Sequence, residues 1–219
     1  MKIFVVVPAY NEDRRMGKFL SELVKTKLPI VVVDDGSEDK TFEAIKKQKV
    51  VALRHKINLG KGAALKTGCQ AAFSLGADAV ILMDSDGQHK VEDLPEFTKA
   101  LKTGEYDIIF GSRNLNHGVP LERYVGNKLA SILVNILFGI YVSDLICGYR
   151  AITKKAFRLL DWESTGYGVE TEMVAKCGKL GLRHCEVPVA TVYYDKFKGV
   201  SVIDAIGIFF DVFRWRINK

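Results

Sequence analysis

The 219-residue chain lacks any run of 18 consecutive apolar residues, so no segment is predicted to span a bilayer. It has four cysteines, without a Cys-x-x-Cys pair or the Cys/His spacing of a zinc site, which predicts free thiols in a reducing compartment. A signal-peptide core is missing as well, because the first apolar run ends at Pro8 and is soon followed by Glu12 and Asp13. Repeats, low-complexity tracts and Pro/Gly/Ser-rich linkers are also absent, which favours a single domain.

The composition is that of a chain with a real hydrophobic core. Hydrophobic residues make up 48% and charged residues 26%, which excludes a disordered or collagen-like protein. The 32 Lys and Arg residues against 26 Asp and Glu give a net charge of +6, a modest bias toward anionic partners. Nucleic acid, an anionic membrane surface and a phosphorylated substrate all fit this bias, so charge alone does not choose among them.

The first half of the chain alternates strand and helix patterns. Short runs rich in β-branched residues are typical of parallel strands buried on both faces. They lie at 3–7, 30–34, 50–53, 79–84 and 107–111. Between them, apolar residues recur at helical spacing. This alternation predicts an α/β fold with an open, mostly parallel, Rossmann-like sheet and helices on both faces.

Two long apolar helix patterns follow, at 121–142 and about 201–217. Polar residues of the first pattern recur every four positions and therefore share one ridge. They are Arg123, Asn127, Ser131 and Asn135. The two helices can be interpreted as packed core helices, or as amphipathic helices in a membrane interface with Arg214, Arg216 and Lys219 near anionic lipid. Both interpretations can hold at once, since a helix pair can pack on itself and still present an apolar face.

Polar residues cluster where three of the predicted strands end. The clusters are Pro8–Glu12, Asp34–Ser37 and Asp84–His89. Each one alone could be a turn, because Asp, Gly and Ser are ordinary loop residues. In an open parallel sheet, however, ligands bind beyond the carboxyl ends of the strands. Three clusters at one edge therefore predict a ligand site.

The third cluster contains two acidic residues separated by one position. In an extended segment the carboxylates of Asp84 and Asp86 point to the same side, where they repel each other unless a cation lies near. Hard oxygen ligands of this kind suit Mg²⁺ or Mn²⁺, which completes its coordination with substrate phosphates and water. Gln88 can add a neutral oxygen and His89 a nitrogen. We therefore predict a metal site at Asp84, Asp86 and Gln88.

Taken in order, several motifs resemble those of a known enzyme family. They are PAYNE at 8–12, VDDGS at 33–37, GKGA at 60–63, MDSDGQH at 83–89, GSR at 111–113 and CGYR at 147–150. The chain resembles the inverting glycosyltransferases of the GT-A fold, specifically those similar to dolichol-phosphate (polyprenol-phosphate) mannosyltransferase. This resemblance implies transfer of a hexose, with mannose favoured over glucose, from a nucleotide-diphosphate sugar such as GDP-mannose to a polyprenyl phosphate. It also implies a peripheral protein at the cytoplasmic membrane face and no nucleic-acid partner.

The resemblance covers nearly the whole chain and implies one glycosyltransferase domain at 1–200, followed by an amphipathic helix at 201–219. The donor half would extend over about 1–115 and the acceptor half over about 116–200. Contacts to the base and ribose of the donor are implied for Pro8, Tyr10, Glu12, Val33 and Asp35. Asp84 and Ser85 would lie along the ribose and diphosphate, with Asp86 and Gln88 on the metal.

Further residues are assigned by the same resemblance to the phosphates and the acceptor. Lys61 and Arg113 would face the donor phosphates or the sugar, and Arg150, with Asp144 just upstream, would line the junction between donor and acceptor. The acceptor phosphate would be held by Arg123, Asn127, Lys196 and Ser201. The family pattern near the carboxyl end expects a Lys where Val202 stands, so one basic contact is either missing or supplied by Lys198.

Two other motifs suggest different kinds of site if each is taken alone. The segment 60–65 resembles a dinucleotide fingerprint, but it lacks the third Gly and does not follow the first strand, and a P-loop would require Gly in place of His55. Glu170 and Glu172 suggest a carboxylate pair, yet two positions apart on a helix they diverge by about 200°. At most one of them can face the site, and the sequence does not choose between them.

The acceptor determines which chemistry the residues must supply. A phosphate monoester has its second pKa near ~6 and needs positioning rather than a strong general base. The alternative enzyme transfers sugar to a saccharide or protein hydroxyl and requires a base, for which Asp144 is the candidate. A nucleotidyltransferase would need a different first loop, and a non-catalytic nucleotide-sugar binding module is disfavoured because both metal carboxylates are present.

Overall fold

The computed structural model describes residues 1–113, 121–190 and 202–217, without the side chains of 121–123, 202–206 and 208. Seven strands form one sheet: β1 (Ile3–Ala9), β2 (Ile30–Asp34), β3 (Val51–Arg54), β4 (Ala79–Leu82), β5 (Ile108–Arg113), β6 (Arg150–Thr153) and β7 (His184–Val189). Eight α-helices accompany them in these ranges: α1 (Asp13–Leu23), α2 (Thr41–Lys46), α3 (Lys61–Ser74), α4 (Leu94–Lys102), α5 (Leu121–Phe138), α6 (Lys154–Leu160), α7 (Val169–Lys179) and α8 (Val202–Ile217).

The sheet order is β3-β2-β1-β4-β6-β5-β7. Only β6 runs antiparallel to its neighbours, β4 and β5, while the other pairings are parallel. The predicted α/β class with a mostly parallel sheet is therefore confirmed. The five predicted strands are all present with small shifts at their ends, whereas β6 and β7 were not identified in the sequence. β6 begins with Arg150, so its sequence lacks the continuous apolar run that indicates a buried strand.

The core lies on both faces of the sheet because alternate residues of each central strand point to opposite sides. In β1, Phe4 and Val6 pack on one face and Ile3, Val5 and Val7 on the other. The first face is covered by α3, α5, α7 and α8, and the second mainly by α1 and α4. Burial on both faces explains the unbroken apolar runs of the strand sequences.

Helix α5 ends at Phe138, four residues before the predicted end of the pattern. Gly139 follows with φ +70°, a left-handed conformation that favours glycine, and its N–H donates to the Asn135 carbonyl over 2.8 Å. Helix α8 packs against α5 and α7 and buries Val212 and Trp215. The packing predicted for the two long helices is thus observed. In the described part of the chain, none of the helices combines the length and apolar character needed to cross a membrane.

Candidate active site

Three loops meet at one edge of the sheet because β1 pairs in parallel with β2 on one side and with β4 on the other. The Asn11 N–H donates to Ser37 Oγ over 2.9 Å and joins the loops after β1 and β2. Ser85 Oγ donates to the Pro8 carbonyl over 2.9 Å and joins the loops after β1 and β4. The structure therefore brings the three polar clusters of the sequence together at the carboxyl ends of neighbouring strands.

Asp35 anchors the segment that leads into α3. Its carboxylate accepts the N–H groups of Leu59 (3.0 Å) and Gly60 (2.7 Å), and His55 Nδ1 lies 2.6 Å from Oδ1. Gly60 has φ +95°, and a Cβ there would lie 2.5 Å from the Thr165 carbonyl oxygen, so the segment requires glycine. Asp35 was predicted to contact base and ribose; in the structure, its carboxylate holds the loop that carries Lys61.

The other residues predicted to hold the nucleoside differ in accessibility. Tyr10 is 43% exposed at the end of β1, whereas Glu12 is buried and its N–H donates to Thr41 Oγ1 over 2.7 Å. The side chain of Val33 is fully buried in the core against α3, so the prediction of a ligand contact by this side chain is corrected. The strand alternation explains this, since the side chain of Val33 points to the face that α3 covers.

Lys61, the first residue of α3, lies between two carboxylates. Its Nζ is 2.7 Å from Asp84 Oδ1, 2.9 Å from Asp84 Oδ2 and 2.7 Å from Glu170 Oε1. Burial opposes the charged ammonium, but the carboxylates of Asp84 and Glu170 outweigh this effect and raise the pKa of Lys61. The lysine is therefore a cation fixed between the loop after β4 and the start of α7. The sequence predicted that Lys61 faces the donor phosphates or the sugar. The described contacts of its ammonium are with Asp84 and Glu170, and the ligand contact stays a prediction.

Gly148 lies directly against this ion pair. A Cβ at position 148 would be 2.5 Å from Asp84 Oδ2 and 2.8 Å from Lys61 Nζ, closer than any real contact allows. We expect Gly148→Ala to push the pair apart and lower kcat by about tenfold or more, the scale of losing a positioned charge. Gly17→Ala is the matched control, because nothing lies within 4 Å of a Cβ at position 17. The effect on kcat is measured by steady-state kinetics, and thermal unfolding checks that both variants are folded. An unchanged kcat for Gly148→Ala would contradict the importance of the Lys61–Asp84 geometry.

Asp86 and Gln88 follow in the same loop, and Asp86 Oδ1 accepts the Gln88 N–H over 2.9 Å. Burial, followed by repulsion from Asp84, raises the pKa of Asp86 to about 6. His89 is buried and accepts the Asp84 N–H at Nδ1, and burial lowers its pKa to about 4, so it is neutral near pH 7. A half-buried carboxylate beside a second one fits a divalent cation with few protein ligands, the kind of site that Mg²⁺ completes with phosphates and water. Among the described residues, no group of three or more His, Cys, Asp or Glu side chains forms a metal cage.

Asp144 is held by Arg113 and Asn127. Arg113 donates from Nε to Oδ2 over 2.5 Å and from Nη2 to Oδ1 over 2.9 Å, a two-pronged ion pair with a carboxylate that is 1% exposed. Asn127 Nδ2 donates to Asp144 Oδ1 over 3.3 Å, and Asn127 Oδ1 accepts the Leu145 N–H over 3.1 Å. Asn127 was predicted to grip the acceptor phosphate; its amide instead fixes the Asp144 loop to α5.

Arg150 is 1% exposed and does not line a ligand junction. Its guanidinium donates to the carbonyls of Leu145 (2.7 Å), Cys147 (2.9 Å) and Glu170 (2.6 Å), and it lies over the Phe110 ring. The prediction that Arg150 contacts donor or acceptor is therefore corrected: it is a buried residue that ties the CGYR loop to the start of α7. A motif gives the residue type, but only the packing shows which way the side chain faces.

The structure distinguishes Glu170 from Glu172 by their contacts, a distinction that the sequence left open. Glu170 contacts Lys61, whereas Glu172 accepts the N–H groups of Glu163 (2.8 Å) and Ser164 (2.7 Å) and pairs with Lys176 at 2.9 Å. Glu172 thus orders the loop 161–168. The Thr165 carbonyl of that loop accepts the Gly62 N–H over 2.5 Å at the first turn of α3, so this helix end is capped by protein.

Three predicted acceptor residues lie partly or wholly outside the described part of the chain. Lys196 and Ser201 fall in 191–201, and Arg123 belongs to the first turn of α5 without a described side chain. Arg123 precedes Asn127 by about one helical turn, so the two residues share one ridge of α5. The four cysteines are free, as the sequence predicted.

Comparison with known proteins identifies the relatives of this chain. Residues 4–160 match the family model described as Glycosyl transferase family 2. The chain is 31% identical to a Methanococcus voltae protein named UDP-N-acetylglucosamine–dolichyl-phosphate N-acetylglucosaminyltransferase, covering 99% of this chain and 97% of the relative. It is 30% identical to the undecaprenyl-phosphate mannosyltransferase of Micrococcus luteus, covering 98% of this chain and 94% of the relative.

A solved structure shares the fold. Glucosyl-3-phosphoglycerate synthase from Mycobacterium tuberculosis, in complex with uridine diphosphate, matches with a TM-score of 0.76 at 19% identity over 98% of this chain and 79% of the other. The match supports the GT-A architecture, with the polar loops at the carboxyl edge of a mostly parallel sheet. The resemblance identified from the motifs is confirmed. This chain belongs to glycosyl transferase family 2 and is a glycosyltransferase of the GT-A fold.

Proposed function

We propose that this enzyme transfers a hexose, with mannose favoured and glucose as the alternative, from a nucleotide-diphosphate sugar to a polyprenyl phosphate. The observation that carries the proposal is the set of hydrogen bonds that Asp144 accepts. The only carboxylate that the sequence offered as a base for a hydroxyl acceptor is fully engaged by Arg113 and Asn127. The names of the Methanococcus and Micrococcus relatives, which act on dolichyl and undecaprenyl phosphate, support the same acceptor class.

A phosphate acceptor removes the need for a proton-abstracting residue. Its second pKa near ~6 leaves it mostly dianionic at neutral pH, so the nucleophilic oxygen is already unprotonated. What the site must do is hold two anions, the donor diphosphate and the acceptor phosphate, close to each other. Cationic groups near the junction fit this task, and we assign Arg113, the last residue of β5, to it. Asp144 orients that guanidinium through two hydrogen bonds.

On the donor side, we assign Tyr10 and the main chain of the loops after β1 and β2 to the nucleoside, and the loop at 84–88 to the diphosphate. Mg²⁺ or Mn²⁺, held by Asp86 with Gln88 and Asp84 beside it, would stabilise the negative charge that develops on the leaving diphosphate. The mycobacterial relative of the same fold has been solved with Mn²⁺ and uridine diphosphate, which supports a divalent cation with a nucleotide donor. Lys61 keeps Asp84 in place during this step.

We further propose that the protein docks on an anionic membrane surface through α5 and α8. Helix α5 exposes an apolar stripe at the spacing of one helix face, and α8, packed beside it, exposes a second one. The stripes consist of Val125, Leu129, Ile132 and Ile136 of α5, and Phe209, Phe210, Phe213 and Ile217 of α8. We call these eight residues the apolar face. Exposed apolar area of this extent marks an interaction site, and the exposed Arg214 and Arg216 favour anionic lipid.

Docking of the apolar face would bring the site to a lipid-borne acceptor, with the polyprenyl chain along α5 and its phosphate near the start of that helix. The four free cysteines fit a reducing compartment, and we therefore place this surface on the cytoplasmic side. The division into a domain at 1–200 and a helix at 201–219 remains part of the proposal.

The acceptor assignment is tested by transfer assays with radiolabelled GDP-mannose, UDP-glucose and UDP-N-acetylglucosamine. We expect Arg123→Ala to raise the KM for polyprenyl phosphate by about tenfold, because a guanidinium donates two hydrogen bonds to one phosphate. Donor binding should stay nearly unchanged. Lys18→Ala, on the exposed side of α1, is the control for loss of one positive charge.

Asp144→Asn separates the two acceptor chemistries in the same assay. Loss of a general base would remove the acidic limb of the pH profile, whereas loss of the Arg113 partner lowers activity at every pH. We expect the second behaviour. Efficient transfer to a saccharide or protein hydroxyl, or Arg123→Ala kinetics identical to wild type, would contradict the polyprenyl-phosphate proposal.

A further inference from the structure

Glu170 is a buried carboxylate whose only described side-chain ion-pair partner is Lys61. It lies in the first turn of α7 and is 5% exposed, and its Oε1 is 2.7 Å from Lys61 Nζ. The same Nζ contacts both oxygens of Asp84. One ammonium group therefore links α3, α7 and the start of the loop at 84–88. A single-charge cation between two carboxylates leaves this cluster with a net charge of −1.

The local backbone is built around this contact. Arg150 Nη1 donates to the Glu170 carbonyl over 2.6 Å and fixes the start of α7. Gly148 leaves room for the ion pair, since any Cβ there would collide with both Asp84 and Lys61. The position of Glu170 is thus constrained from two sides, by a buried arginine on its main chain and by a lysine on its side chain. Such constraint is what a fixed charge in a binding site requires.

We propose that Glu170 is a positioning residue for sugar transfer, which acts through Lys61 on Asp84. By sharing the ammonium, Glu170 gives Lys61 a second anchor and limits the positive charge that falls on Asp84. Both acidic residues of the loop then keep enough negative charge to favour a divalent cation. Without Glu170, the whole charge of Lys61 is compensated by Asp84 alone, and the lysine loses its second anchor.

Glu170→Gln tests this inference because it keeps the shape and removes the charge. We expect Mn²⁺ affinity, measured by electron paramagnetic resonance with uridine or guanosine diphosphate present, to fall about fivefold, and kcat to fall about tenfold. Glu22→Gln is the control: it makes the same chemical change at an exposed residue of α1. Mn²⁺ affinity should stay within twofold for this control.

A double-substitution cycle shows whether Glu170 acts through the lysine. In a Lys61→Met background, Glu170 becomes an unpaired buried carboxylate near Asp84, so removing its charge relieves repulsion. In that background, Glu170→Gln should therefore cause no further loss of kcat, or should restore part of the lost kcat. An equal loss of kcat in both backgrounds, or unchanged Mn²⁺ affinity in Glu170→Gln, would overturn the proposal. Should the glutamine variant fail to fold, Glu170→Asp retains the charge at a longer distance and should give an intermediate Mn²⁺ affinity.

The inference rests on the proposed donor chemistry, and the two fail differently. If wild-type protein transfers no sugar to polyprenyl phosphate, the acceptor proposal fails. The Mn²⁺ measurement needs no acceptor and still decides the role of Glu170.

Discussion

Asp86→Asn should reduce turnover at least about 100-fold, the scale of losing one group that stabilises developing charge. The substitution preserves the size of the side chain and its hydrogen bond from the Gln88 N–H, but removes the negative charge. Asp84 cannot replace it, because its carboxylate is shared with Lys61. Steady-state assays at saturating Mg²⁺ or Mn²⁺ measure the effect. Asp161→Asn, at a carboxylate that is 75% exposed, is the control.

The raised pKa of Asp86 adds a pH dependence to this prediction. A proton and a divalent cation compete for the same carboxylate, whose pKa is about 6 in the absence of the cation. The metal concentration needed for half-maximal activity should therefore rise as the pH falls below about 6 and become constant well above it. Asp86→Asn should abolish this trend. Near-normal turnover of Asp86→Asn in excess Mg²⁺ or Mn²⁺ would refute the assignment of Asp86.

Replacing three residues of the apolar face should weaken binding to anionic liposomes about 100-fold or more. Ile136, Phe210 and Ile217 are 73%, 66% and 79% exposed, so each has most of its side chain available for burial in lipid. Full burial of such a side chain is worth roughly 1.5–3 kcal/mol, and 1.4 kcal/mol is a factor of ten in binding. The combined Ile136→Gln, Phe210→Gln and Ile217→Gln variant is compared with wild type by flotation.

Three exposed leucines outside the apolar face provide the control. Leu75, Leu159 and Leu180 are 45–47% exposed, and their combined replacement by Gln should leave flotation unchanged. Binding of the wild type should also weaken in high salt, because Arg214 and Arg216 contribute attraction to the anionic surface. Equal flotation of the apolar-face variant and wild type would exclude the proposed surface. Loss of a dimer in solution instead would identify a second copy of the chain as its partner.

The sequence by itself determined the fold class and the location of the site. Doubly buried parallel strands require continuous apolar runs, so β1, β2 and β4 are visible as local patterns, and the polar residues that follow them must lie at one edge of the sheet. The ordered motifs identified the family, and the Asp84–Asp86 spacing predicted a metal site, which stays a prediction. Each of these inferences depends on neighbours in the chain.

Only the tertiary structure decided which charges pair with each other. Lys61 meets Glu170 from a helix 109 positions later, and Arg113 meets Asp144 across 31 positions, distances along the chain that no local period encodes. The packing also moved Arg150 from a predicted ligand contact into the core, because the antiparallel β6 buries its first residue. A buried charge needs a partner or a set of carbonyls, and the partner is fixed by how strands and helices pack, after the sequence pattern has fixed the elements.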